Sequence, residues 1–258
     1  MPITWPFDPT VYAGLLVLLF GHAWLARGAS DARRQHTVYF LASLFTVWLA
    51  LETPIDTLSD HYLQSVHMFQ HVLLAIIAPP LLVLGLCPSM AASLARGPGV
   101  RQLIEPVPAQ LIAAAVMIAW HLPPLYDATE NENVHIFEHL TFIGSGVLFW
   151  WPVLDATAAQ ARWQLGEVGR LAYLLVGTIP QDGVAIVLQF SRVPFYDFYR
   201  HVPMLVPGWD AVIDQNVAGT VLQLIGKISY LVAAIVIFFR WVAREQEAGD
   251  PEEVLGLR

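Results

Sequence analysis

Charged residues are scarce in this 258-residue chain. They make up 13% of it, against roughly 25% in a typical soluble globular domain, while 56% of the residues are hydrophobic. So small a charged fraction excludes an ordinary soluble domain of this length. The composition predicts an integral membrane protein that is surrounded by the lipid bilayer.

Cysteine and basic runs are also nearly absent. The single cysteine, Cys87, excludes a disulfide framework within the chain and a metal cage built from thiolates. The 13 lysines and arginines form no basic stripe, so we expect no nucleic-acid partner. The net charge of −8 says little about partners, because acidic and basic residues are segregated along the chain.

Long apolar runs are what the chain does contain. Seven of them have roughly the ~20 residues that a helix needs to cross a bilayer. We therefore predict an all-α, polytopic bundle of seven transmembrane helices, with residues 1–242 as the transmembrane domain and 243–258 as an acidic tail. In the third span, Pro79 and Pro80 should kink the helix or end its regular part. The predicted spans are residues 11–26, 37–51, 63–86, 107–122, 134–153, 171–190 and 218–239.

Arginines predict the orientation of the bundle. Ten fall in the first, third and fifth loops and the C-terminal tail, and two fall in the alternate loops. Since basic loops stay on the cytoplasmic side, the N-terminus should lie outside and the C-terminus in the cytoplasm. The acids of the outer loops, Asp60, Glu130 and Glu132 among them, are interpreted as a solvated face or, alternatively, as a weak attraction for cations toward a site. The ten are Arg27, Arg33, Arg34, Arg96, Arg101, Arg162, Arg170, Arg240, Arg244 and Arg258, and the two are Arg192 and Arg200.

Seven of the nine histidines fall toward the predicted outer face. His67 and His71 form one pair and His135 and His139 another, each with its members one helical turn apart on one face. His121 ends the span that lies between the pairs in sequence. Neutral imidazoles are common ligands of copper, zinc and haem iron, and ionisable groups inside a membrane are usually functional. We therefore predict that at least four of these imidazoles share a metal or haem site.

Three further side chains lie beside these histidines in sequence. Met68 adjoins the first pair and Met117 lies one turn from His121. A thioether beside an imidazole suits copper, above all Cu(I), better than zinc or magnesium, although both methionines can also serve as core packing. Glu138 adjoins His139 and is either a ligand or an acceptor for the ring N–H of a ligand.

Two charged residues fall inside predicted spans. Asp182 lies in the sixth and Lys227 in the seventh, and each would be costly alone in a bilayer. Two explanations remain open: the residues form a mutual ion pair, or they line a path for protons or cations.

Two blocks of sequence are distinctive. The first is HMFQHVLLAIIAPPLLVLG at residues 67–85; the second consists of WHLP at 120–123, HIFEH at 135–139 and FWWP at 149–152. A weaker third block is Asp214-Gln215 followed by Ala218-Gly219. From about residue 52 to 239, the chain thereby resembles the multi-span CtaG-type cytochrome c oxidase assembly factors.

The resemblance implies a seven-span protein of the bacterial cytoplasmic membrane that is needed to mature haem–copper oxidases. It also implies that the protein binds copper at its outer face and delivers it to the catalytic subunit of the oxidase, as a binding protein and not an enzyme. Two other function classes stay open: a membrane cytochrome with haem between paired histidines, and a metal or proton transporter that uses Asp182 and Lys227. The candidate copper ligands are His67, His71, His121, His135 and His139, with Met68, Met117 and Glu138 as further candidates.

Overall fold

The computed structural model describes residues 4–154 and 163–248. Of these residues 80% lie in helices and none lies in a β-strand, which confirms the all-α prediction. A π-helical segment, Leu73–Ile77, joins α4 to α5, and a 3-10 turn, Ala128–Glu130, follows α9. The α-helices are α1 Pro9–Arg27, α2 Arg34–Leu51, α3 Pro54–His61, α4 Gln64–Val72, α5 Ala78–Leu84, α6 Pro88–Leu94, α7 Pro98–Leu103, α8 Pro106–Trp120, α9 Pro123–Asp127, α10 Glu132–Leu154, α11 Glu167–Phe190, α12 Phe198–His201 and α13 Ala211–Ala248.

Several of these helices are long and apolar enough to cross a membrane, which indicates a membrane protein. Four qualify by themselves: α1, α11, α13 and the continuous unit Gln64–Leu84, which comprises α4, the π segment and α5. The pairs α2–α3 and α8–α9, bent by 45° and 72°, raise the number to six if each pair is one span. The remaining predicted span corresponds to α10, which has 23 residues but carries polar His135, Glu138 and His139 near its start. A count of seven spans therefore remains a prediction.

The last helix extends beyond both bounds of its predicted span. α13 runs from Ala211 to Ala248 and crosses the predicted domain boundary after residue 242 without a break. Its start is fixed by Asp210, whose carboxylate accepts a hydrogen bond from the backbone N–H of Ile213 at 2.8 Å. Residues 249–258 of the predicted tail, and Arg162 of the fifth loop, lie outside the described residues.

The loops predicted to be cytoplasmic meet at one end of the bundle, which we call the arginine end; the end with His67 and His135 is the histidine end. At the arginine end, Asp31 accepts hydrogen bonds from the hydroxyl and backbone N–H of Ser89, which lower the pKa of its carboxyl group to about 2. The side of the membrane on which this end lies stays a prediction. Side chains that pack together there include Leu25, Ala29, Cys87, Ala95, Ile104, Trp150 and Leu165.

The unit of α4, the π segment and α5 is the central element of the bundle, and most of its residues are buried. The regular α-helix ends at Val72 and resumes at Ala78, directly before Pro79 and Pro80. Proline cannot donate a backbone hydrogen bond and its ring clashes with the preceding turn, so a widened π turn accommodates the pair. The predicted disturbance of the span at these prolines agrees with the break in the α-helix at residues 73–77, but the helix continues through both prolines to Leu84 and does not end at them.

α10 crosses this central unit at close range, and Gly146 makes the approach possible. A Cβ atom at position 146 would lie 2.6 Å from Cγ of Pro79 and closer still to the carbonyl oxygen of Ala75. Only a residue without a side chain permits this approach. The crossing brings the first turns of α10 beside α4, and these two segments carry the two histidine pairs.

Candidate functional site

The two predicted histidine pairs lie face to face on α4 and α10. The Nε2 atoms of His67 and His71 are 2.7 Å apart, and the ring centroids of His135 and His139 are 4.2 Å apart. Between the pairs, the ring centroid of His67 lies 5.4 Å from that of His135, and the centroid of His71 lies 6.1 Å from that of His139. The four imidazoles, together with Glu138, thus form one group that we call the histidine cluster.

Glu138 lies at the centre of the histidine cluster. Its Oε1 is 3.4 Å from Nε2 of His71, and its Oε2 is 3.9 Å from Nε2 of both His67 and His135. The side chain is fully buried, and neither oxygen has a hydrogen-bond partner among the described residues. Burying a polar group without a partner is costly, so a cation bound beside this carboxyl group would stabilise the site.

Nitrogen atoms of the histidine cluster are also without partners. Nδ1 of His71, Nε2 of His135 and Nε2 of His139 are buried and make no hydrogen bond to any described residue. Most buried polar atoms in folded proteins form hydrogen bonds, so a group of unpartnered nitrogen and oxygen atoms in one place needs an explanation. A metal ion would satisfy imidazole nitrogens and carboxylate oxygens together, so the residues present fit a metal.

Three sets of side chains offer ligand atoms close enough to hold one metal ion. Within each set the atoms lie within 4.8 Å of one another. Two sets contain only residues that the sequence predicted as ligands. The third includes Asp60, which sequence reasoning assigned only to the acidic outer face. The sets are His67 with His71 and Glu138, His135 with Glu138 and His139, and Asp60 with His67 and His135.

His121 and Met68 lie beyond His71, next to the cluster but in none of these sets. Nδ1 of His121 donates to the carbonyl oxygen of Met117 at 2.7 Å, so Nε2 of the neutral ring carries the lone pair. That atom faces Sδ of Met68 at 3.3 Å, and the ring centroid lies 5.5 Å from that of His71. The side chain of Met117 packs in the core against Phe142.

A cavity of about 900 Å³ lies beside the histidine cluster, between the N-terminal part of α1 and helices α3 and α10. His67, His135 and His139 form part of its wall, and so does His61. His201 is instead exposed on α12, where its Nδ1 donates to a backbone carbonyl of the same segment. The cavity is acidic, since its lining includes Asp8, Asp56, Asp60, Glu130 and Glu132.

Three tyrosines from α9 and from the segment before α13 cover the cluster. The rings of Tyr126 and Tyr196 stack with centroids 3.6 Å apart, and Tyr126 lies 5.3 Å from the ring of His67. The hydroxyl of Tyr196 donates to the carbonyl oxygen of His121, and that of Tyr199 donates to a backbone carbonyl of α3, both at 3.0 Å. Burial raises the pKa of Tyr196 and Tyr199, so both hydroxyls remain donors at neutral pH. No signal in the sequence linked these tyrosines to the site.

Asp214 anchors the helix that carries the first histidine pair. Its carboxylate accepts hydrogen bonds from the backbone N–H groups of Gln64 at 2.6 Å and Ser65 at 3.2 Å, in the first turn of α4. These groups need an acceptor because Leu63, which precedes α4, offers no side-chain cap. In sequence, Asp214 stood out only as part of the weak third block.

Replacing Asp214 by alanine should therefore destabilise the protein. We expect Asp214→Ala to lower the free energy of unfolding by roughly 1–2 kcal/mol, because two buried N–H groups lose their acceptor. Thermal unfolding of the purified protein in detergent measures the effect. Glu130→Ala is the control, since Glu130 is exposed at the same end of the bundle and takes no part in this contact. An equal loss in both variants would contradict the capping role.

The two charged residues inside predicted spans form an ion pair. Nζ of Lys227 on α13 lies 3.0 Å from Oδ1 of Asp182 on α11. Pairing lowers the cost of placing each charge in an apolar environment. The contact agrees with the ion-pair explanation and joins two helices that pack along each other.

Comparison with known proteins identifies the family. Curated relatives include uncharacterized proteins from Mycobacterium bovis and Mycobacterium tuberculosis, each 24% identical over 280 aligned positions, and one from Mycobacterium leprae, 23% identical over 281. These alignments cover 96% of this chain but 41% of each relative, so the chain spans about two fifths of their length. No solved structure matches the chain significantly. Since the sequence profile of the cytochrome c oxidase caa3 assembly factor (Caa3_CtaG) family matches residues 16–244, the chain belongs to that family.

Proposed function

We propose that this protein binds copper at the histidine cluster and delivers it to the catalytic subunit of cytochrome c oxidase. The observation that carries the proposal is the buried cluster around Glu138, in which three imidazole nitrogens and both carboxyl oxygens lack hydrogen-bond partners among the described residues. Membership of an oxidase assembly factor family supports the destination of the metal. In this role the protein is a binding and delivery protein of the bacterial cytoplasmic membrane, not an enzyme.

The chemistry of the ligands favours copper. Imidazole and carboxylate groups suit Cu(II) and zinc, and Met68 beside His121 adds the thioether that suits Cu(I). Copper in its two oxidation states can bind all of these ligand types, and the thioether favours it over zinc.

Overlap between the ligand sets suits delivery better than storage. His67, His135 and Glu138 each belong to two of the three sets. An ion bound in one set therefore has ligands of the next set within reach, so it can move without passing through an uncoordinated state. A closed four-ligand cage would hold the metal more tightly and release it more slowly.

The two competing functions fit the site less well. A haem iron takes its axial ligands from opposite faces of the porphyrin, whereas His67 and His71 lie on one helix with their Nε2 atoms 2.7 Å apart. A transporter that uses Asp182 and Lys227 as coupling groups would have to break their ion pair, whose charged atoms lie 3.0 Å apart. Neither alternative accounts for the unpartnered atoms around Glu138.

The metal content of the oxidase tests the proposed function. In the host bacterium, deleting the gene should leave an oxidase that retains its haem but lacks most of its copper. The wild-type gene and the His201→Ala variant should restore the copper, because His201 is exposed and outside the cluster, whereas His71→Ala should not. Copper is measured by mass spectrometry of the purified oxidase, with haem absorbance as the internal standard. An oxidase with full copper and missing haem in the deletion strain would contradict copper delivery.

A further inference from the structure

We infer that Asp60, His135 and His67 form an outer cation site through which the metal passes from the acidic cavity to the buried ligands. The identity of the ion as copper rests on the proposed function. The site itself rests on the geometry of these three residues, of which Asp60 was not among the predicted ligands. We call this set the outer site, and His67, His71 and Glu138 the inner site.

Exposure decreases steadily from the cavity to the inner site. The side chain of Asp60 is 26% exposed, that of His135 15% and that of His67 4%. Those of Glu138 and His71 are completely buried. An ion that arrives from the cavity therefore meets the outer site first.

His135 lies between two carboxyl groups. Its Nδ1 is 3.8 Å from Oδ2 of Asp60, and its Nε2 is 3.9 Å from Oε2 of Glu138. The ring of His135 thus directs Nδ1 toward the cavity and Nε2 toward the buried carboxyl group. Because His67 belongs to both the outer and the inner site, the ion keeps an imidazole ligand while it exchanges Asp60 for Glu138.

The carboxylate of Asp60 is held in the orientation that this role requires. Its Oδ1 lies 2.9 Å from the hydroxyl oxygen of Ser59, whose single proton is shared between this carboxylate, the carbonyl oxygen of Asp56 and the amide oxygen of Gln70. Its Oδ2 is directed toward His135. Asp56, one turn earlier on α3, is engaged differently, since its Oδ1 accepts a hydrogen bond from Nε2 of Gln70 at 2.9 Å. Asp60 is thus the cavity acid with an oxygen facing the cluster.

The wall of the cavity also contains a buried imidazole nitrogen without a hydrogen-bond partner among the described residues. His139 lines the cavity wall, is only 7% exposed, and has an Nε2 without a hydrogen-bond partner among the described residues. A solvated acidic surface does not require a buried, unpartnered nitrogen at its inner wall. The combination points to a cation that crosses the cavity.

Cu(II) titration of two variants tests the outer site. The double variant His71→Ala, His139→Ala removes one ligand from each of the two sets that contain Glu138 and none from the outer site. The purified full chain should therefore still bind one weakly held Cu(II), with histidine nitrogens in its electron paramagnetic resonance spectrum. Adding Asp60→Asn should weaken this residual binding by about 10-fold or more, since the amide keeps the shape and the Ser59 hydrogen bond but loses the charge. Adding Glu132→Gln instead should leave it unchanged, because Glu132 lines the cavity without contacting the cluster.

The outcomes separate this inference from the proposed function. Equal Cu(II) binding by the double variant His71→Ala, His139→Ala with and without Asp60→Asn would overturn the outer site. An equal loss caused by Glu132→Gln would also overturn it, because that result would indicate general attraction of cations by the cavity. Neither result touches the copper content of the oxidase, on which the proposed function is judged. Conversely, Asp60-dependent Cu(II) binding in a protein whose deletion leaves the oxidase fully loaded would keep the site and refute delivery. Thermal unfolding confirms that each variant is folded.

Discussion

Glu138→Gln should raise the dissociation constant for copper on the order of 100-fold, while the metal-free protein keeps its stability. The carboxyl group lies 3.4–3.9 Å from three imidazoles and belongs to two of the three ligand sets. Glutamine has the same shape but removes the negative charge that attracts the ion. Its amide can donate to a neighbouring imidazole nitrogen, so packing and polar pairing in the metal-free protein are preserved.

Two measurements on one sample distinguish a ligand from a structural residue. Competition with a chelator of known affinity gives the dissociation constant for copper, and thermal unfolding without metal gives the stability. Glu132→Gln, at the exposed start of the same helix, is the matched control and should change neither. Loss of stability with unchanged copper affinity would make Glu138 a structural residue and remove the centre of the proposed site.

Gly146→Ala and Gly144→Ala should change stability in opposite directions. The new Cβ at position 146 would overlap the carbonyl oxygen of Ala75 and lie 2.6 Å from Cγ of Pro79, and both partners are rigid. We expect overpacking to cost about 1–3 kcal/mol or more. At position 144 nothing lies within 4 Å, so alanine should stabilise the helix by about 0.5–1 kcal/mol.

The same pair of variants links the fold to the site. To accommodate a side chain at position 146, α10 must move away from the central unit, and it carries His135, Glu138 and His139 with it. We therefore expect Gly146→Ala to lower copper affinity as well as the thermal midpoint, while Gly144→Ala keeps full affinity. Destabilisation of equal size in both variants would show that the close crossing does not hold the site together.

Local chemistry made much of the fold and part of the site predictable. Apolar runs of span length become helices because a helix satisfies its own backbone hydrogen bonds, and no predicted span extends more than two residues beyond either end of its helical unit. The prolines at 79 and 80 disturb the regular helix just before them, because they lack N–H groups and their rings clash with the preceding turn. The spacing of four residues placed His67 with His71, and His135 with His139, on common helix faces. All of these features are determined by residues that lie within a few positions of one another in the sequence.

Long-range packing decided the rest. Asp214 caps a helix that begins 150 residues earlier, and three tyrosines cover the cluster from segments that no local pattern connects to it. The sequence did not distinguish Asp60 from the other acids of the outer loops. In the structure, the position of α3 places Oδ2 of Asp60 3.8 Å from Nδ1 of His135. His121 was predicted from the sequence as a ligand together with the other four histidines, but it lies next to the three ligand sets and belongs to none of them.

The sequence by itself determined that this is an all-helical membrane protein of an oxidase assembly family, and which helix faces carry its imidazoles. Only the tertiary structure decided that the two faces meet around Glu138 and that an acidic cavity leads to them. The reason is physical: periodicity along a helix assigns a direction to each side chain, but which surfaces meet depends on where backbones can approach, as α10 does at Gly146.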